Sequence, residues 1–162
     1  MQSVKIGVLG LGTVGSGTVN VLSRNIKEIT RRAGRDIEIT RAADRTMDKK
    51  RDCDTSGIKL TTDAFEIVND PEIHVVVELI GGTGIARELV LTAIENGKHV
   101  ITANKALIAL HGNELFAKAQ AKGVTIAFEA AVAGGIPIIK AMREGLSANR
   151  IEWLAGIING TG

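Results

Sequence analysis

The sequence has few of the residues that disulfide scaffolds, aromatic binding surfaces and membrane spans require. Its 162 residues include one cysteine, two prolines, one tryptophan, three phenylalanines and no tyrosine. A single cysteine excludes an internal disulfide framework. No apolar run approaches the roughly 20 residues needed to cross a bilayer. The first residues also lack the basic-then-apolar layout of a signal peptide. We therefore expect a cytoplasmic protein that is not associated with a membrane.

The charge balance is equally modest. Twenty lysines and arginines against 18 acidic residues leave a formal charge of +2. A basic patch with interleaved aromatic residues is absent from the sequence, so nucleic-acid binding is not expected. What the chain does have is 44% apolar residues and 19 glycines, which favours one globular α/β domain over residues 1–162 with many tight turns.

Short apolar runs alternate with helical periods along the chain. Strands are predicted at 4–9, 36–43, 58–62, 74–80, 99–103, 124–129 and 151–158. Helices are predicted at 13–33, between Asp63 and Asp70, before Gly97, at 113–122, and from Pro137 to near Gly145. This alternation is typical of a doubly wound, mostly parallel sheet with helices on both faces.

A glycine-rich hexapeptide follows the first predicted strand and opens the first helix. It reads Gly10-Leu11-Gly12-Thr13-Val14-Gly15. In this pattern the first glycine permits a tight turn, the second lets the backbone approach a diphosphate, and the third lets the helix pack on the strand. A glycine turn that serves packing alone is the alternative. The context favours a Rossmann-type dinucleotide-binding domain.

The end of the second strand bears on which dinucleotide would bind. Asp44 stands where a carboxylate can accept hydrogen bonds from ribose hydroxyls, which favours NAD. Arg45 follows it and would hold a 2′-phosphate, which favours NADP, or stack on adenine. The basic run at 49–51 is interpreted as a solvated loop. The cofactor is therefore NAD or NADP, with the choice open.

The ends of the later strands carry a resemblance that is more specific than the glycine turn. These ends read ELIGGT at 78–83, ANK at 103–105, EAAVAGGIP at 129–137 and INGT at 158–161. In combination they resemble homoserine dehydrogenase. That family reversibly oxidises homoserine to aspartate 4-semialdehyde with NAD or NADP, in threonine and methionine biosynthesis. Its members are usually homodimers, and this chain resembles only their nucleotide-binding domain.

The resemblance also implies roles for single residues. Lys105 would lie between the nicotinamide and the substrate, where its charge can orient the substrate oxygen. The cofactor would be held by the turn from Gly10 to Gly15, with Thr13 and Val14 at its phosphates. Arg45 would lie near the adenosine, and Gly81 and Gly82 beside the nicotinamide.

A structural sodium ion is implied in the same way. Its ligands would be the Glu129 carboxylate and the backbone carbonyls of Val132, Gly134 and Ile136. One carboxylate with several carbonyl oxygens suits a hard cation. The alternative is that Glu129 simply caps the helix that is predicted to open near Pro137.

Two other functions compete with this interpretation. A sugar-type oxidoreductase would have its lysine in a Glu-Lys-Pro motif, whereas Lys105 lies between Asn104 and Ala106. A non-catalytic dinucleotide sensor would have no need of Lys105. The second catalytic lysine of the homoserine dehydrogenases and their amine-binding acidic residues are also missing from the sequence. We therefore expect residues 1–162 to bind a dinucleotide without turnover.

Overall fold

A computed structural model describes residues 3–48 and 50–156 of the chain. In this part, six strands form one sheet in the order β3-β2-β1-β4-β5-β6, and every neighbouring pair is parallel. The strands are β1 Val4–Leu9, β2 Ile37–Ala43, β3 Lys59–Thr61, β4 Val75–Glu78, β5 His99–Thr102 and β6 Ile126–Ala127. This is the predicted Rossmann-type sheet, with the switch in strand order between β1 and β4.

Most of the helices lie between strands and cover the two faces of the sheet, and the last one follows β6. They are α1 Thr13–Ala33, α2 Phe65–Val68, α3 Ile85–Glu95, α4 Lys105–Lys122 and α5 Ile138–Lys140. The predicted bounds of α1 are confirmed, and the helix ends at Gly34, whose φ of 70° places it in the left-handed region. Within the described residues, none of the helices is long and apolar enough to cross a membrane.

Two apolar cores lie on opposite faces of the sheet. On one face, Val19 of α1 packs with Val8 and Ala42 of the sheet. On the other face, a larger cluster joins α2, α3 and α4 to the sheet around Leu89 and Leu107. Such double coverage explains the nearly continuous apolar run of β4.

Gly7 of β1 permits close packing that the sequence pattern does not reveal. A Cβ atom at this position would lie 2.2 Å from Cγ2 of Ile67, which belongs to α2. Any side chain at residue 7 would therefore displace the Ile67 side chain and disturb the packing of α2 on the sheet.

The start predicted for α4 at residue 113 is wrong. The helix begins at Lys105, because the side chain of Asn104 accepts a hydrogen bond from the Leu107 amide at 3.0 Å and caps it. Leu107 and Leu115 both lie on its buried face. Lys105 is thus the first residue of a helix rather than part of a loop.

The predictions also fail in part towards the end of the chain. The strand predicted at 124–129 is limited to Ile126–Ala127, and a 3₁₀ turn follows at Glu129–Ala131. The helix predicted from Pro137 splits into α5 and a π-helical turn, Ala141–Gly145. The strand predicted at 151–158 is absent from its described part, 151–156, whereas 157–158 lie outside the described residues. Trp153 is 80% exposed, which shows that this segment does not pack on the sheet within the described chain.

Strict alternation of strands and helices is not observed either. β3 follows β2 without a helix between them and forms one edge of the sheet. Asp63 does accept a hydrogen bond from the Phe65 amide at the start of α2. The Glu66 side chain does not return a bond to the start of the helix, because it pairs with Arg41 instead.

Candidate active site at the carboxyl edge of the sheet

A cleft of about 530 Å³ opens along the carboxyl edge of the sheet, where β1, β2 and β4 end. This is the position at which doubly wound sheets bind their ligands. Residues of the glycine turn, the end of β2, the start of α2 and the end of β4 line it. Among them are Gly10, Leu11, Gly12, Asp44, Arg45, Thr62, Asp63, Phe65, Leu79 and Ile80.

The three glycines of the turn have different surroundings. Gly10 has a φ of 99°, and a Cβ there would lie 2.9 Å from the carbonyl oxygen of Leu79. A Cβ at Gly15 would lie 2.0 Å from the carbonyl oxygen of Gly10. At Gly12, by contrast, a Cβ would meet no atom within 4 Å. Gly10 and Gly15 are therefore required by the fold, whereas Gly12 presents open backbone to the cleft.

The N-terminus of α1 adds a favourable field to this open backbone. Its first turn contains no acidic residue that would occupy the free N–H groups. Thr13 and Val14 are exposed there, and Val14 is 58% exposed although it is apolar. Together the free amides and the helix dipole form a site suited to a diphosphate.

The other end of the cleft is shaped by the residues after β2. The Asp44 amide donates to the Thr61 carbonyl at 3.0 Å, and its carboxylate accepts from the Thr46 amide at 3.1 Å. Arg45 is exposed and has no hydrogen-bond or ion-pair partner among the described residues. Arg51 donates to the carbonyls of Thr46 and Met47, so it braces this loop instead of being solvated. Lys49 lies outside the described residues.

Glu78, at the end of β4, organises the other half of the edge. Its side chain is fully buried. One carboxylate oxygen accepts from the amides of Ile80 and Gly81, at 2.9 and 3.1 Å. The other accepts from the Thr102 hydroxyl at 2.6 Å. The sequence pattern assigns Glu78 no role, although a lone acidic residue that closes a run of valines is a signal for one.

Asn104 links this carboxylate to Lys105. Its backbone amide donates to the Thr102 hydroxyl oxygen at 3.0 Å, and its side-chain nitrogen donates to the Gly82 carbonyl at 2.6 Å. The next residue, Lys105, is exposed and pairs with no group in the described part of the chain. The fold therefore brings the predicted Gly81, Gly82 and Lys105 together.

Glu129 acts as a cap in this structure. Its two carboxylate oxygens accept from the amides of Ile139 and Lys140, each at 2.9 Å. The Ile136 carbonyl accepts from the Ile138 amide at 2.8 Å. The alternative predicted for Glu129 is thus observed, and two of the four groups predicted to bind sodium already have hydrogen-bond donors. The described residues contain no cluster of three His, Cys, Asp or Glu side chains suited to a metal ion.

Charged pairs lie away from the cleft, near the points where β4 and β5 begin. Arg41 donates to Asp70 at 2.7 Å and holds the pKa of that carboxyl below its ordinary value. Burial lowers the pKa of Lys98, which donates to the carbonyls of Asp70 and Ile73. With Glu66, which also binds Arg41, these side chains form what we call the amino-edge network.

Comparison with known proteins agrees with the geometry. The family described as the NAD-binding domain of homoserine dehydrogenase matches residues 10–129. The chain belongs to this family.

Homoserine dehydrogenases of known sequence and structure align with almost the whole chain. The Pseudomonas aeruginosa enzyme is 68% identical over 162 residues, which are 100% of this chain and 37% of that protein. The Bacillus subtilis enzyme is 42% identical over 99% of the chain and 37% of its own length. The solved structure from Thiobacillus denitrificans has a TM-score of 0.91 at 65% identity and covers 99% of this chain and 37% of that one. A hyperthermophilic archaeal homoserine dehydrogenase in complex with NADPH shares the fold, with a TM-score of 0.69 at 23% identity, over 91% of this chain and 50% of that chain.

Membership in the homoserine dehydrogenase family settles the class of the domain. It confirms the resemblance carried by the strand ends and leaves the sugar-type enzyme and the sensor unsupported. The chain spans only 37% of the length of the P. aeruginosa relative. The activity of a whole homoserine dehydrogenase is therefore a proposal for this chain.

Proposed function

We propose that this chain is the dinucleotide-binding part of an enzyme that reversibly oxidises homoserine to aspartate 4-semialdehyde with NAD or NADP. One observation supports this above the others. The open backbone at Gly12 and the unpaired ammonium of Lys105 lie along the same carboxyl edge of the sheet, within the described residues. The first suits a diphosphate and the second suits the oxygen of a reacting alcohol.

The binding roles follow the shape of the cleft. The N-terminus of α1, with Thr13 and Val14, would hold the diphosphate. Asp44 and Arg45 lie at the end of β2, where the adenosine ribose would be placed. Gly81 and Gly82, with φ of 80° and 73°, present their backbone at the end of β4 and would line the nicotinamide.

The chemistry needs more than this chain supplies. Oxidation of the alcohol removes a hydride from carbon and a proton from oxygen, and the dinucleotide, when bound, accepts the hydride. Lys105 would donate a hydrogen bond to the substrate oxygen and stabilise its negative charge. Removal of the proton calls for a second group within hydrogen-bond reach. Lys98 is buried where β5 begins, at the opposite edge of the sheet, and Lys140 pairs with Glu144, so we assign this step to neither of them.

A structural sodium ion near Glu129 remains a separate proposal. Glu129 with the carbonyls of Val132, Gly134 and Ile136 would hold it, and its charge would brace the loop before α5. Because Glu129 already caps α5, the ion would have to share the carboxylate with two amides. Glu129→Gln separates the two roles, since it keeps one capping acceptor but loses the charge.

Two further properties are proposed by relationship to the family. The whole enzyme would be a homodimer and would be located in the cytoplasm, where amino acids and dinucleotides are available. The substrates would be small molecules, homoserine and aspartate semialdehyde.

The test compares this chain with a longer protein that also contains the region found in its relatives. Both are assayed for homoserine-dependent reduction of NAD and NADP, and both are titrated with dinucleotide. We expect both to bind and only the longer protein to turn over. Homoserine oxidation by the 162-residue chain alone would contradict this division of labour. A longer protein that binds dinucleotide but ignores homoserine would contradict the activity.

A further inference from the structure

The hydrogen bonds around Glu78 close into a ring that links two parts of the carboxyl edge. Glu78 holds loop 80–82 through two backbone amides and holds the Thr102 hydroxyl with its other oxygen. Thr102 accepts from the Asn104 amide, and Asn104 returns to loop 80–82 by donating to the Gly82 carbonyl. We call Glu78, Thr102 and Asn104 the Glu78 ring.

The Glu78 ring has a free-energy cost that folding alone does not explain. Glu78 and Thr102 are both 0% exposed, and they are direct partners in the parallel pairing of β4 and β5. No lysine or arginine in the described part of the chain pairs with Glu78. Burying a carboxylate without a cation costs free energy unless donors satisfy it, and an apolar residue would fill the strand at lower cost. Here the three donors instead fix the positions of groups beside the cleft.

The ring contacts two parts of the chain that the proposed function uses. Loop 80–82 contains two residues in left-handed conformation, which have no regular structure to hold them. On the other side, the Asn104 side chain caps α4, whose first residue is Lys105. The ring therefore sets the distance between the backbone of Gly82 and the start of the helix that carries Lys105.

We propose that Glu78, Thr102 and Asn104 are positioning residues, which hold loop 80–82 and Lys105 in the relative positions that hydride transfer requires. This inference rests on the proposed function, in which the loop lies beside the nicotinamide and Lys105 at the substrate oxygen. The diphosphate and adenosine contacts lie elsewhere in the cleft. Breaking the ring therefore lowers kcat while dinucleotide affinity and the KM for dinucleotide change little.

The main test uses Thr102→Val in the longer protein. Valine keeps the shape of threonine but donates nothing to Glu78 and accepts nothing from Asn104. We expect kcat to fall by about 10²-fold, as misplacement by about 1 Å can cause. The dissociation constant of reduced dinucleotide should change less than about threefold, while the nicotinamide fluorescence response on binding is reduced.

Two matched variants separate positioning from general destabilisation. Thr102→Ser restores the hydroxyl and should recover most of kcat and of the fluorescence response. Thr92→Val removes a hydroxyl that bonds only to the Glu88 carbonyl within α3, and should leave both unchanged. Wild-type kcat and fluorescence in a folded Thr102→Val protein would overturn the proposal.

A second break in the ring keeps the proposal testable if Thr102→Val does not fold. Asn104→Asp retains an acceptor for the Leu107 amide but loses the donor to Gly82, so α4 stays capped. We expect the same split between kcat and affinity, and an unchanged kcat would overturn the proposal. An inactive wild-type protein would contradict the proposed function instead, and the fluorescence response of the variants would still decide whether the ring positions the nicotinamide.

Discussion

At the carboxyl edge of the sheet the Asp44 and Glu78 carboxylates accept hydrogen bonds from backbone amides and a hydroxyl, whereas at the amino edge Arg41 pairs directly with two carboxylates. The amino-edge network ties Arg41 to Glu66 and Asp70 and buries the Lys98 ammonium against backbone carbonyls. At the carboxyl edge, Gly12 is open and Lys105 is unpaired among the described residues. The amino edge pairs the Arg41 guanidinium with carboxylates of the same chain, and the carboxyl edge leaves the Lys105 ammonium without a partner among the described residues.

This difference predicts that substitutions at the two edges have separable effects. Changes at the exposed positions of the carboxyl edge, Gly12, Arg45 and Lys105, should alter binding or rate and leave the free energy of unfolding nearly constant. Changes in the amino-edge network should lower the free energy of unfolding and leave dinucleotide affinity nearly constant.

The largest effect is expected for Lys105→Ala in the longer protein. In its proposed role Lys105 supplies one preorganised charge at the reacting oxygen, and losing it should lower kcat by about 10²–10³-fold. Dinucleotide affinity should hardly change, because the proposed diphosphate site lies at the N-terminus of α1. Lys118→Ala, on the same helix but paired with Glu95, is the control and should keep full activity. A Lys105→Ala enzyme with near wild-type kcat would remove Lys105 from the mechanism.

Asp70→Asn tests the amino edge. Arg41 and Asp70 are mostly buried, so losing the charge should lower the free energy of unfolding by about 2–3 kcal/mol at neutral pH. Because the folded state holds the Asp70 pKa below its ordinary value of 3.8, this contribution is complete above that pH. It is lost as the pH falls through the lower folded value, so the difference between wild type and variant should shrink in acid.

Denaturant titrations at neutral and acidic pH measure this difference. Asp48→Asn, in an exposed loop, is the matched control and should have little effect at either pH. A destabilisation by Asp70→Asn that stayed the same from neutral pH to well below 3.8 would show that the charge is not responsible.

The smallest effect concerns the choice of dinucleotide. If Arg45 holds a 2′-phosphate, Arg45→Ala should weaken NADP binding by about 1 kcal/mol more than NAD binding, since the side chain is exposed. Calorimetric titration with both dinucleotides measures the difference. Equal losses would mean that Arg45 stacks on adenine, and no loss would exclude it from the site.

Backbone features of the carboxyl edge could be predicted from the sequence, and side-chain networks could not. Gly10, Gly12 and Gly15 have a spacing that indicates their roles, and the 3.6-residue period predicts α1 with its observed bounds. Glu78 and Thr102 become partners only when β4 pairs with β5, 24 residues apart in the chain. No local pattern reports such a contact.

The errors in the sequence-based prediction have the same origin. The start of α4 is hidden in the sequence because Asn104 comes only two residues after the end of β5, although its cap on Leu107 begins the helix. The strand expected from residue 151 has an apolar pattern, but a strand needs a neighbouring strand, and residues 151–156 have none in the described chain. The pattern of apolar and polar residues indicates which kind of element a segment favours, but it does not show which segment will be its partner.

Dinucleotide binding at the open glycine is tested most directly by calorimetric titration of Gly12→Val and Gly17→Val. A Cβ atom added at either position would have no neighbouring atom within 4 Å, so both variants should keep the wild-type circular dichroism spectrum. Only Gly12 lies at the N-terminus of α1. We expect Gly12→Val to bind neither NAD nor NADP detectably, while Gly17→Val binds like wild type. A folded Gly12→Val protein with wild-type affinity would contradict the assignment of this turn as the diphosphate site.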